Sequence, residues 1–169
     1  MLAEYGSGLY KFLLVCHILA AIVGIGAVML NGLYAAQAQK REGPAGRAVS
    51  EANFAVSNIA EKVIYTVPIF GILLVFESGE AWEFSQTWVW LALALFIVTL
   101  GVTHSVLIPG QRRINELLFE MEQGPPPAGG PPPQVVEITE LGKKQAAAGA
   151  FADIMVVVIL VLMVWKPGL

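Results

Sequence analysis

Apolar residues run almost unbroken through four stretches, 12–36, 56–76, 88–108 and 145–165, and polar residues collect between them. A helix rising ~1.5 Å per residue needs about 20 residues to cross a ~30 Å hydrocarbon core, and each stretch meets that length. The pattern predicts an all-α, antiparallel bundle of four transmembrane helices in one domain, at about 9–39, 52–77, 87–108 and 144–166. Of ten basic residues, Lys40, Arg41, Arg47, Lys62, Arg112, Arg113, Lys143 and Lys144 flank the helix ends that share one side, leaving Lys11 and Lys166 on the other. Basic residues are retained on the cytoplasmic face, so both termini are expected outside. The implied location is a membrane whose basic-rich face is cytoplasmic.

The segments between the spans refine this picture. The second span has a charge-free part, 63–76, that is too short to cross, so its helix must start upstream and carry Glu61 and Lys62 into the basic-side leaflet. Pro68 falls mid-span, lacks an amide hydrogen and predicts a kink, with the Thr66 hydroxyl available to a freed carbonyl. The third span is expected to end at Ile108-Pro109-Gly110. Beyond it, Ile114, Leu117, Leu118 and Met121 recur at i, i+3, i+4 and i+7 among Arg113, Glu116 and Glu120, which predicts an amphipathic helix over about 111–123 lying on the inner membrane surface. A Pro/Gly-rich linker follows over 124–134, with Pro125–Pro127 and Pro131–Pro133 around Ala128-Gly129-Gly130. Tyr5, Tyr10 and Tyr34, and Trp82, Trp88 and Trp90, sit where interfacial aromatic rings are favoured. Ala36-Gln37-Ala38 has the form of a signal-peptidase site, but the apolar run before it is far longer than a ~7–15-residue secretory core, so a retained helix is expected.

Composition excludes more than it identifies. The chain is 56% hydrophobic and only 14% charged, with net charge -3, which leaves little outside the bilayer and no basic surface for nucleic acid. One cysteine, Cys16, excludes an intramolecular disulfide and a thiolate cluster. No nucleophile elbow, phosphate-binding loop or paired-cysteine motif occurs, and the expected role is non-enzymatic.

Five ionisable residues fall within the spans: His17, Glu61, Lys62, His104 and Asp153. Each costs a few kcal/mol there and requires an account. His17, Gly24 and Asn31 recur every seven residues, with Ala20, Ala21 and Ala27 between, on one helix face. Such a face suits close helix packing, and it also suits b-type haem, with His17 as axial (metal) ligand and Gly24 making room for the ring. His104 lies at a different depth from His17, which disfavours bis-histidine ligation. In the other half of the membrane, Asn58, Glu61, Tyr65 and Pro68 form a polar face on the second helix. Glu61, Lys62, His104 and Asp153 could converge on a buried polar cluster acting as a proton or ion relay. Alternatively, Lys62 snorkels, Glu61 pairs with it or with Arg112, and Asp153 alone is buried. Asp153 is expected to face the interior and bond to the second or third helix. The run Ala146, Ala147, Ala148, Gly149, Ala150, Ala152 permits close helix approach. The composite expectation is a small accessory subunit or self-associating bundle in the lipid bilayer, as a homo-oligomer or with a membrane-complex partner; the alternative is a haem protein.

Several short motifs carry a family resemblance. The opening from Tyr10 to Leu19 with Gly24 beyond, Glu61-Lys62…Thr66-Val67-Pro68, Trp90-Leu91, Ile108-Pro109…Arg112-Arg113 and the closing Met163-Val164-Trp165-Lys166-Pro167-Gly168 resemble a bacterial family of predicted integral membrane proteins, domain of unknown function 2269. The resemblance implies the fold, the cytoplasmic (inner) membrane of a bacterium as the location, and no assigned activity. More remotely, the chain is similar to copper-resistance-D-like proteins and the HemJ-type protoporphyrinogen oxidase, in which the first-helix histidine is a haem-ligand candidate; only His17 carries over. The aromatic, proline and arginine run of that oxidase is replaced by Leu30–Gln39, and its His-x-Lys entry to the third helix by Trp90-Leu91-Ala92. Neither methionine clustering nor a second histidine near His17 supports a copper role.

Overall fold

The computed structural model describes residues 6–41, 43–124 and 132–168. These form four long helical segments, Gly8–Gln39, Gly43–Phe76, Thr87–Gln123 and Pro133–Trp165, each long and apolar enough to cross a membrane. No strand occurs among the described residues. Tyr5, Pro125–Pro127, Ala128-Gly129-Gly130 and Pro131 lie outside the described residues.

The helices run 32 to 37 residues. At ~1.5 Å per residue each is about 50 Å long, well beyond a ~30 Å core. The excess lies at the end that carries most of the basic residues. There the second helix begins at Gly43 rather than near 52, and the fourth at Pro133 rather than near 144. The third does not stop at Ile108-Pro109-Gly110 but continues to Gln123. Its continuation rests on a π-turn, Thr103–Leu107, immediately before Pro109. The wider turn absorbs the proline, and the Gln145 side chain donates to the carbonyls of Val106 (3.2 Å) and Leu107 (3.0 Å). A Cβ on Gly110 would overlap the Gln145 amide nitrogen, so the missing side chain admits the donor.

The amphipathic stretch 111–123 is thus the end of the third helix, and the centre of its apolar face, at Leu117, is covered by protein. Leu117 is 1% exposed, in a segment that packs against both the second and fourth helices. Polar pairs surround it. Ser50 Oγ donates to Asn115 Oδ1 (2.7 Å) and accepts from Gln111 Nε2 (2.9 Å). Arg113 forks onto Glu137. Arg47 Nε lies 2.9 Å from Glu122 Oε2, although its N–H is not aimed at that oxygen.

The first and second helices pack antiparallel along their length, as do the third and fourth. The first pair shows the clearest register. His17 meets Val67 and Gly71, Gly24 meets Ile64, and Asn31 accepts from Ser57 Oγ at 3.0 Å. Both sides of this seam step by seven, the spacing that keeps two helices facing one another. At the opposite end Trp82 Nε1 donates to Tyr10 Oη (3.0 Å), Trp82 and Trp88 stack edge to face, and Lys166 Nζ lies 3.7 Å from the Trp82 ring centre. Burial in this aromatic setting pushes the Lys166 ammonium below the usual lysine value.

Candidate functional site at two helix breaks

The second helix breaks at Tyr65, between the segments Gly43–Ile64 and Thr66–Phe76. Pro68 cannot donate to the Ile64 carbonyl, and Thr66 Oγ1 instead bonds Val63 O at 2.7 Å within the disrupted turn. The facing irregularity is the π-turn of the third helix, which carries His104. Helical side chains lean toward their own N-terminus. Because these helices are antiparallel, Tyr65 leans toward the basic end and His104 away from it, so the two converge.

Three polar atoms meet there. Tyr65 Oη lies 2.5 Å from Glu61 Oε1 and 2.6 Å from His104 Nε2. Nε2 lies 2.8 Å from the same Glu61 oxygen. The other imidazole nitrogen, Nδ1, is 2.9 Å from Leu100 O. Of the four residues expected to cluster, the structure brings together Glu61 and His104 and leaves out Lys62 and Asp153. Tyr65 completes the group. Its place one turn after Glu61 was visible in the sequence, but its reach to His104 depends on the helix break.

Asp153 is half-buried on the fourth helix and has no hydrogen-bond or ion-pair partner among the described residues. The expected bond to the second or third helix is not made. Lys62 likewise forms no ion pair among the described residues. The hydroxyls near His104 are spent internally: Thr99 bonds Leu95 O, Thr103 bonds Thr99 O, and Ser105 bonds Gly101 O.

The first-helix stripe is a packing seam. His17 Nδ1 lies 2.9 Å from Val67 O, and a carbonyl can only accept, so Nδ1 carries the hydrogen. A Cβ on Gly24 would lie 2.8 Å from Ile64 Cγ1 and 3.0 Å from Ile64 N. The space a porphyrin would need beside Gly24 is filled by the second helix, and the His17 ring lies against Gly71. These residues do not fit haem on that face.

A family model for predicted integral membrane proteins, DUF2269, matches residues 11–167. The chain belongs to that family. The DUF2269 match takes in His17, the Glu61–Tyr65–His104 triad and Asp153. No curated protein and no solved structure matches the chain significantly.

Proposed function

We propose that this DUF2269 protein is a non-enzymatic component of a membrane assembly, either self-associating or an accessory subunit, with the fourth helix as its contact. In this reading it lies in a bacterial cytoplasmic membrane, with the basic end inside and both termini outside. The observation that carries the proposal is Asp153, a carboxyl group within a membrane span that has no hydrogen-bond or ion-pair partner among the described residues. Such a group is costly in lipid and is satisfied in an assembly. A second feature shares its helix face. Cβ atoms on Gly142 and Gly149 would meet nothing within 4 Å, whereas those on Gly24, Gly46, Gly71 and Gly110 would meet neighbours. With Ala146 and Ala150 these glycines leave a shallow surface on which another helix can approach closely.

The expected result in native nanodiscs is an oligomer or a co-purifying partner. Asp153→Asn retains it, because an amide still hydrogen-bonds, while Asp153→Leu and Gly149→Leu release the single chain. Thermal stability of that chain is unchanged or slightly raised in Asp153→Leu, since no internal bond is lost. A parent protein that is strictly monomeric, with nothing bound in native mass measurements, overturns the proposal.

A further inference from the structure

The Glu61–Tyr65–His104 triangle contains more acceptors than its hydrogens can serve unless one more proton is present. Leu100 O fixes the imidazole hydrogen on Nδ1. A neutral His104 therefore presents a bare lone pair at Nε2, 2.8 Å from Glu61 Oε1. Tyr65 has a single hydroxyl hydrogen and lies within 2.6 Å of both. With Glu61 ionised and His104 neutral, one edge of the triangle sets a lone pair against a carboxylate oxygen. A second proton removes that conflict, either on Nε2 as an imidazolium–carboxylate pair or on the Glu61 carboxyl. Both arrangements are electroneutral, which suits a group at membrane depth.

A shallow groove adjoins His104. It has a volume of about 330 Å³ and runs past Ile108 and Pro109 to Arg112, Arg113 and Glu116, toward the basic end. The second helix supplies Glu61 and Tyr65, with Lys62 next in sequence. The third supplies His104 and the groove's Arg112, Arg113 and Glu116. The fourth, packed on the π-turn, places Gln145 there, with Lys144 and Asp153 as its nearest ionisable residues in sequence. None of Lys62, Arg112, Lys144 and Asp153 bonds or ion-pairs with the triad.

We propose that Glu61, Tyr65 and His104 form a site for one exchangeable proton, loaded through this groove, and that its occupancy controls the contact between the second and third helices. The two helices touch chiefly over their basic-end portions. Among the described residues the triad is the hydrogen-bonded link between them nearest mid-depth. Loss of the proton leaves a net negative charge and a repulsive edge, and the helices part beyond it. This inference is independent of the contact assigned to the fourth helix.

Glu61→Gln provides the test: an amide nitrogen at the position shared by both contacts has two hydrogens, donates one to His104 Nε2 and the other to Tyr65 Oη, and has no proton to lose. In a Cys16→Ser background, spin labels at Ile72→Cys and Ile97→Cys report the separation of the two helices in nanodiscs. The expected result is a distance that lengthens reversibly as the pH is raised in the parent and stays constant in Glu61→Gln. A parent distance that does not respond to pH overturns the proposal, as does a Glu61→Gln variant that responds like the parent. Folding of each variant is checked by its helical circular dichroism, which the conservative amide is expected to preserve.

Discussion

Gly46→Ala is expected to destabilise the protein by about 3 kcal/mol or more, the largest effect of any single methyl addition, because the added carbon has nowhere to go. It would fall inside the contact radius of the Arg41 carbonyl oxygen and 2.7 Å from that of Ala38. Both obstacles are backbone atoms at the end of the first helix, so no rotamer change relieves the overlap. The second helix would have to move away from the turn that joins it to the first. Cys16, the chain's one cysteine, is half-buried and reports this directly. A thiol-reactive dye should bind it at a much lower temperature in Gly46→Ala than in the parent. Unchanged melting would show that the two helices do not meet as described.

Gly24→Leu ranks next, also at about 3 kcal/mol. Its first added carbon meets Ile64 Cγ1, which can rotate, but also the Ile64 backbone nitrogen at 3.0 Å, which cannot. The remaining atoms would wedge the seam open between His17 and Asn31, loosening both the His17–Val67 and Ser57–Asn31 bonds. Gly26→Leu is the internal control. It lies two residues away on the same helix, and its Cβ would meet nothing within 4 Å. The same dye assay should therefore find Gly24→Leu strongly destabilised and Gly26→Leu close to the parent. Similar melting of the two variants would remove the seam from the account.

The comparison of sequence and structure turns on which forces have a local signature. Span length and apolarity do, and four transmembrane helices were legible from them. The break near Pro68 was also legible, since a missing amide is a property of one residue. Continuity through Ile108-Pro109-Gly110 was not. It depends on Gln145, distant in sequence, supplying hydrogen bonds to a widened turn. The extra length of the second and fourth helices was hidden for a similar reason: their polar extensions pack on the end of the third helix, through Ser50–Asn115 and Arg113–Glu137. The spacing of His17, Gly24 and Asn31 fitted two chemistries, and only the partner positions Gly71, Ile64 and Ser57 showed what fills the space. Glu61 and His104 could be grouped by depth, whereas Tyr65 joins them through backbone irregularities that no side-chain pattern announces. Depth and the cost of facing lipid predict an internal partner for Asp153, but neither fixes the direction in which a helix face points.

Everything proposed for the triad, its groove and the fourth helix assumes that the four helices cross the membrane with the basic end inside. Single cysteines at Ser85, in the loop after the second helix, and at Ala128, in the proline-rich connection, test this in a Cys16→Ser background. With a membrane-impermeant maleimide applied to intact cells, Ser85→Cys is expected to label and Ala128→Cys to remain protected until the membrane is permeabilised. Labelling of Ala128→Cys in intact cells, or equal labelling of the two positions, contradicts the account.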